Sequence, residues 1–358
     1  MHLPFLLSRV LLSFNDKSDD LLSDISSATF TPDGSLWLGS DELLTIEKLS
    51  PIEPCVFGKH QPFFIGDFID LFNHEDEIDI EGLDSHNNYL WLTGSHSTKR
   101  KKAKGKKPEK DLERLATIKT DLNRYLIARI PVIEGELLKS CSNPDNPSEN
   151  LTAACLEKSE THNLLIDVLR EDPHLGAFIS ASIPSKDNGL DIEGLAVYQD
   201  RVFLGLRGPV LRGWAIILEI EVEEKEPGVL TLKKIGKDER CYRKHFVDLD
   251  GLGIRELCLK GEDLIILAGA TMTLEASMKV FRLKKFLEIS EDSVSSQKSG
   301  DLVFLFKLDC GFGTDQAEGL ALFSCLGESD SLLVVYDSPE EARMPAPHQI
   351  YADVFRLD

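Results

Sequence analysis

The chain has 358 residues, 42% hydrophobic and 28% charged, enough apolar material for a large core. Its formal net charge of −21 excludes a surface built mainly for nucleic acid, because phosphate binding requires net basic patches. Length alone suggests two or three domains, yet all-β propellers and barrels exceed that as single units.

The N-terminal run Leu3–Phe14 is apolar but carries Arg9 in its middle and lacks a basic n-region and a small-x-small cleavage site. It reads as a β-strand. No run reaches the length of a transmembrane helix. The seven cysteines (Cys55, Cys141, Cys155, Cys241, Cys258, Cys310 and Cys325) form no C-x-x-C pair. They read as reduced thiols, and the expected location is cytoplasmic. Cys241, Cys258 and Cys310 lie in or beside apolar runs, as small buried hydrophobes do.

A short phrase then recurs. It reads Asp79-Ile80-Glu81-Gly82-Leu83, Asp191-Ile192-Glu193-Gly194-Leu195, Asp248-Leu249-Asp250-Gly251-Leu252 and Gln316-Ala317-Glu318-Gly319-Leu320, with a decayed copy at Asp24-Ile25-Ser26-Ser27-Ala28. Taking Ser26, Glu81, Glu193, Asp250 and Glu318 as markers, the intervals are 55, 112, 57 and 68 residues. The residues after Glu318 and those before Ser26 together make one more interval of that size. A closed ring requires such a wraparound and an open stack does not.

Within the third repeat, alternation and turn residues place strands at Glu193–Val197, Arg201–Leu206, Ala215–Ile220 and Val229–Leu232. The fourth follows with Leu264–Ala268 and Val280–Leu283. The last has Leu332–Tyr336 and Val354–Leu357 and then runs out of chain, so its outer strand is expected from Val10–Phe14, which closes the ring and covers the sheet edge. The long interval holds two insertions. One, over 98–122, contains Lys99–Lys107, with seven basic residues in nine, and Leu112, Leu115, Ile118 and Leu122 on helical spacing. The other, over 141–189, is Pro/Asn-rich and then helical around Leu164–Leu169. The expected fold is all-β: one propeller over 1–358 with five four-stranded blades, six being the alternative.

The innermost strand of each blade carries the phrase, so Glu81, Glu193, Asp250 and Glu318 are expected around the central channel. Crowded carboxylates need a cation, protonation or Arg/Lys partners, and a hard cation such as Ca²⁺ suits several oxygen ligands. The same acids can serve only structure, by accepting backbone N–H bonds from the next blade, with the following glycine permitting close approach. The ends of the second strands bring Asp41, His96, Arg207 and Asp337 to one mouth. Arg207 and Arg212 are the expected counter-charges to the ring. The basic run binds polyanions, or is a solvated loop, or folds back over the acidic mouth that it leaves toward. No G-x-S-x-G, H-E-x-x-H or P-loop is present. Asn150-Leu151-Thr152 matches a glycosylation acceptor, which is without consequence in a cytoplasmic protein.

The stretches Ile183–Ala196, Gly205–Ala215, Ser23–Ser26, Gly94–His96 and Asp248–Gly251 resemble the bacterial family catalogued as domain of unknown function thirty-six-sixteen. The resemblance spans nearly the whole chain and implies a propeller-like fold without an assigned activity. More distantly, the E-G-L phrase is similar to phytase-like and esterase-like propellers, whose sites use acidic residues and sometimes Ca²⁺. The expected function is binding of a small molecule or peptide at the acidic mouth, with no membrane partner and no nucleic acid despite the basic loop. The alternative is Ca²⁺-assisted hydrolysis of an ester or phosphoester, with Glu81, Glu193, Asp250 and Glu318 as ligands and His96 or a carboxylate handling protons.

Overall fold

The computed structural model describes residues 5–15, 21–272, 277–308 and 314–357; Leu3, Pro4 and Cys310 lie outside them. The chain is all-β. Five short strands each begin an antiparallel run of four: Ile25–Phe30, Ile80–His86, Asp191–Tyr198, Gly253–Lys260 and Gln316–Cys325. The first run continues through Leu36–Ser40, Thr45–Glu53 and Val56–Phe64. The second continues through Tyr89–Gly94, Ile127–Ile133 and Ala154–Leu156. The fourth holds Asp263–Gly269, Met278–Leu283 and Leu302–Leu308.

The five leading strands pack side by side in cyclic order, each against the next and the last against the first. The fifth run, Gln316–Cys325, Glu328–Asp337 and Gln349–Arg356, takes its outer strand from the other end of the chain. Leu6–Ser13 pairs antiparallel with Gln349–Arg356, with Val10 opposite Ala352. The same N-terminal strand pairs in parallel with Val56–Phe64, Leu11 opposite Val56, so its two edges are both covered. The result is a propeller-like β fold.

Packing follows the same order. Trp37, Ile80 and Leu92 cluster between the first and second runs, Trp91, Leu195 and Leu218 between the second and third, and Phe203, Leu257 and Phe281 between the third and fourth. Leu267, Leu320 and Val334 cluster between the fourth and fifth, and Ala28, Leu38 and Leu333 where the fifth meets the first. Each run therefore buries apolar side chains on both faces, one toward each neighbour, which is why its strands read as near-continuous apolar segments. At roughly 25 cal/mol per Å² of apolar surface removed from water, these clusters are the main favourable term in folding.

Two strand assignments change. In the third run the fourth strand is Tyr242–Asp248, not Val229–Leu232. Trp214–Glu226 is long enough to pair with Tyr242–Asp248 along one half and with Val229–Leu232 along the other. Val229–Leu232 then joins Ala154–Leu156 of the preceding run in parallel. In the fourth run the leading strand is Gly253–Lys260, and the rest of the phrase, Leu249–Leu252, is the connection before it. Asp250 and Gly251 have φ of 59° and 83° there, values of a tight turn rather than a strand.

The insertion after Tyr89–Gly94 pairs Lys99–Arg100 with Ile118–Lys119 and carries the helix Pro108–Ala116 between them. That helix buries no residue, and Leu112 stands 69% exposed. The second insertion contains the helix Leu164–Leu169, whose Leu165, Ile166 and Leu169 are buried. No helix among the described residues is long and apolar enough to cross a membrane.

Gly253 opens the fourth leading strand where the third run lies closest: a Cβ there would stand 2.0 Å from the Arg207 carbonyl oxygen. Backbone has to move to admit it. Gly253→Ala is expected to lower stability by roughly 1–3 kcal/mol, read from the urea midpoint; a midpoint equal to that of the unmodified protein would show that the two strands are free to separate.

Candidate functional site

Each leading strand is interrupted near its start by a β-bulge, and in four of the five the extra residue is the third of the phrase. Ile80 opposes Gly94 and Gly82 opposes Thr93, which leaves Glu81 unpaired in the ladder. The same shift leaves out Ser26, Glu193 and Glu318. In the fourth strand it falls between Ile254 and Glu256, so the residue in that position is Arg255. A bulge re-aims the extra side chain, and five bulges in cyclically packed strands gather Ser26, Glu81, Glu193, Arg255 and Glu318 at one end of the assembly.

The glycine of the phrase has a separate task. A Cβ on Gly82 would stand 2.6 Å from the Leu195 side chain, one on Gly194 2.8 Å from Leu257, and one on Gly319 2.9 Å from the Ala28 nitrogen. Each glycine admits the next leading strand. Bulge and glycine together explain the phrase: one residue turns out of the ladder and the next lets the neighbour in.

Arginines pair most of the acids. Arg207, buried, holds Asp191 through Nη2 and Glu193 Oε1 through Nη1 at 2.5 Å. Arg255 spans two runs from one nitrogen: Nη1 is 3.0 Å from Glu193 Oε2 and 2.8 Å from Glu318 Oε1. Arg124, in the turn Leu122–Tyr125, is 1% exposed. It donates to Glu77 Oε1 at 2.5 Å, Asp79 Oδ1 at 2.7 Å and Ser97 Oγ at 2.9 Å. Lys99 also reaches Glu77, with Asp79 at 3.6 Å. Ser26 donates instead to the Ile80 carbonyl of the next leading strand. Glu81 differs from all of these, since it makes no hydrogen bond or ion pair with any described residue.

Carboxylates outnumber cations at this end, and their protonation reflects it. Burial, then the charges of Glu193, Asp79, Glu318 and Asp41, push the Glu81 carboxyl well above the usual range. Burial also raises Glu318, with Arg255 opposing and Asp337 adding to the rise. Asp41 is pushed up to about 8 by burial and by the charges of Asp79, Asp337, Asp24 and Glu42, and its Oδ1 is buried without a hydrogen-bond partner. Asp191 rises to about 7, burial outweighing Arg207. Glu77 goes the other way: burial would raise it, but hydrogen bonds from Lys99 and Arg124 hold it below the ordinary value.

Among the residues expected here, Glu81, Glu193, Glu318, Arg207, Asp41 and Asp337 do gather at this end. Asp250 does not join them: it lies on the exposed turn before the fourth leading strand and turns to Lys279, whose Nζ is at 2.6 Å. Arg212 does not either: it is exposed, at φ 53° in the connection to Trp214–Glu226, and pairs with no acid among the described residues. His96 lies at the mouth but is locked. Its Nδ1 is 2.8 Å from the Gly94 carbonyl and its Nε2 2.8 Å from Asn163 Nδ2, so Nδ1 carries the proton and donates while Nε2 accepts. Burial lowers its pKa to about 4, and the neutral ring it leaves has no free nitrogen for proton transfer.

A four-carboxylate calcium site therefore does not form. Asp250 is elsewhere, Glu193 and Glu318 turn onto Arg255, and among the described residues no three His, Cys, Asp or Glu side chains are placed to hold one metal ion. A guanidinium inside the ring competes directly with a hard cation for the same oxygens.

Two further acids serve the structural role foreseen for the ring. Asp84, toward the far end of Ile80–His86, accepts from Val197 N at 2.7 Å and Ser85 N at 2.8 Å, and Glu256 stands directly after the Arg255 bulge. Glu256 accepts from Leu195 N at 3.0 Å and Leu257 N at 2.8 Å. Each clasps its neighbour's backbone. A cavity of about 260 Å³, lined by residues including Asp84, Tyr198, Cys258 and Leu320, opens at the Asp84 end. Arg124, Lys99, Arg255 and Glu256 were not singled out from the sequence as site residues. The signal for Arg255 was present, because its spacing of 62 residues from Glu193 and 63 to Glu318 is more even than that of Asp250.

Among solved structures, the chain is similar to virginiamycin B lyase from Staphylococcus aureus at 11% identity and a TM-score of 0.34, covering 92% of this chain and 67% of that one. It is similar to a streptogramin B lyase at 9% identity, TM-score 0.37 and 98% of each chain. It is also similar to the PQQ-bound aldose sugar dehydrogenase from Streptomyces coelicolor at 10% identity and TM-score 0.38, covering 98% and 99%. Likenesses of this size say nothing of the chemistry here. A search of curated proteins returns no match. A family described as "Protein of unknown function (DUF3616)" matches residues 24–353, and the chain belongs to that family.

Proposed function

We propose that the five four-strand runs are the blades of one propeller domain, 1–358, and that its acidic mouth binds a small molecule or peptide through a cationic group of that ligand. The cyclic packing of the leading strands supports the five-blade reading, with 98–122 and 141–189 as insertions in the second blade. The observation that carries the binding reading is Glu81. It projects from a bulge among Glu193, Asp79, Glu318 and Asp41, and no described cation pairs with it, although Arg207, Arg255, Arg124 and Lys99 pair the acids around it. An ammonium or guanidinium placed there gains charge-assisted hydrogen bonds and offsets the burial and the like charges that raise Glu81. Lys99 supports the chemistry, being an ammonium carried by the insertion to Glu77 and Asp79. The basic run folds toward the mouth at this first residue, while Lys104, Lys106 and Lys107 are exposed.

Calorimetric titration of a panel of alkyl diamines, arginine methyl ester and short lysine peptides tests this. Binding is expected to strengthen from about pH 6 to about pH 8.5, because raised carboxyls must lose protons to pair, and to weaken with salt. Glu81→Gln is expected to weaken it by roughly tenfold or more, as loss of a charged partner costs about 1.5–3 kcal/mol. Binding unchanged by Glu81→Gln, or stronger at low pH, would place the ligand elsewhere.

A further inference from the structure

The chain's two ends meet where the fifth run closes on the first, and two thiols face each other across that seam. Cys55 lies in the turn joining Thr45–Glu53 to Val56–Phe64, and Cys325 ends the leading strand Gln316–Cys325. They are 270 residues apart in sequence, and their sulfurs are 4.0 Å apart. The N-terminal strand runs past both: Leu11 N donates to the Cys55 carbonyl at 2.9 Å, and Ser8 Oγ is 3.8 Å from the Cys55 sulfur.

We propose that Cys55 and Cys325 form an oxidisable dithiol whose disulfide locks the ring at its closure seam, exchanging with small disulfides of the glutathione class. The remaining gap to a bond of about 2.05 Å is short, and both cysteines sit at hairpin ends that can supply it. Cys55 has φ 60° in a two-residue turn, and Leu326 and Gly327, which follow Cys325, have φ of 52° and 84°. Leu326 is 75% exposed. Turn residues at such positions shift without breaking the ladders behind them, whereas a thiol in mid-strand would have to pull its strand out of register.

Exposure sets the order of events. Cys55 is partly exposed and Cys325 is buried, so Cys55 meets the oxidant. Its thiolate attacks one sulfur of glutathione disulfide, the S–S bond breaks, and one glutathione leaves as thiolate with Cys55 in a mixed disulfide. The Cys325 thiolate then attacks the Cys55 sulfur, forms the intramolecular bond and expels the second glutathione. Two protein thiols are oxidised, one glutathione disulfide is reduced to two thiols, and both protein protons end on glutathione. Burial, and then the neighbouring Cys55, raise the Cys325 thiol, so the second step is expected to be the slower and to accelerate with pH.

The test is incubation of the full chain with glutathione disulfide at about pH 8, followed by intact-mass and peptide analysis. The expected result is a chain lighter by two hydrogens, with peptides containing Cys55 and Cys325 joined and the change reversed by dithiothreitol. Cys325→Ser is expected to stop at a stable glutathione adduct on Cys55, and Cys55→Ser to form neither adduct nor link at Cys325. The joined form is expected to melt higher, because the bond closes a very long loop. A persistent adduct on Cys55 of the unmodified chain without the link would overturn the proposal. So would a link to another cysteine or between two chains, or a joined form that melts no higher.

Discussion

Arg207→Met is expected to lower the unfolding free energy near pH 7.5 by about 3–5 kcal/mol, the usual cost of removing one partner from a buried ion pair. Arg207 is 8% exposed, and its partners Asp191 and Glu193 are 2% and 3% exposed. Methionine fills much of the same volume, so the loss reads the acids left without their buried partner rather than a cavity. Arg255 still reaches Glu193, but among the described residues Asp191 is left with no ion-pair partner. Asp191 already titrates near 7 with Arg207 beside it, and without the arginine its carboxyl must rise further. The loss is therefore expected to shrink toward about pH 5, where Asp191 holds its proton, and to be partly recovered by adding Asp191→Asn and Glu193→Gln. Urea denaturation at the two pH values checks this. A loss below about 1 kcal/mol, or one of equal size at both pH values, would mean that the pair is solvated and does not hold the start of the third leading strand.

The second large effect has the opposite sign. Asp41→Asn is expected to stabilise the protein at alkaline pH. In the folded chain Asp41 keeps its proton until about pH 8, whereas its ordinary value is 3.8. Between those values the folded state binds more protons than the unfolded one, so the stability tied to this group is complete below about pH 4 and is lost as pH rises through 8. Asparagine carries no charge to lose. The variant and the unmodified protein are expected to match near pH 4 and to differ by on the order of 2–3 kcal/mol near pH 9, less than the full shift because Asp41 is not wholly enclosed. Thermal melts across that range decide the matter. A variant no more stable than the parent at pH 9 would show that Asp41 finds a cation or water that relieves it.

Much of the ring could be read along the chain. The recurrence of the phrase and the wraparound count pointed to closure, and Leu6–Ser13 does complete the fifth run against Gln349–Arg356. The apolar segments Arg201–Leu206 and Leu264–Ala268 became second strands because alternation and turn residues act within a few positions of each other. The fourth copy misled because Asp250-Gly251 satisfies a turn as readily as a strand start. The bulge five residues later, at Arg255, is defined by which residues face it in Asp263–Gly269, and no local pattern records that.

By itself, the sequence determined an all-β chain, a repeated acid-glycine step and a gathering of Glu81, Glu193 and Glu318, since these depend on residue type and spacing. Only the tertiary structure decided that Arg255 stands in the ring in place of Asp250, that His96 is a neutral buried strut, and that Glu81 is the ring acid left unpaired. Those outcomes depend on distances of 2.5–3.0 Å between residues such as Arg207 and Glu193 or Arg255 and Glu318. They depend equally on how far each group is withdrawn from water. Both are set by how the leading strands and the runs behind them meet, and neither is written in any one of them.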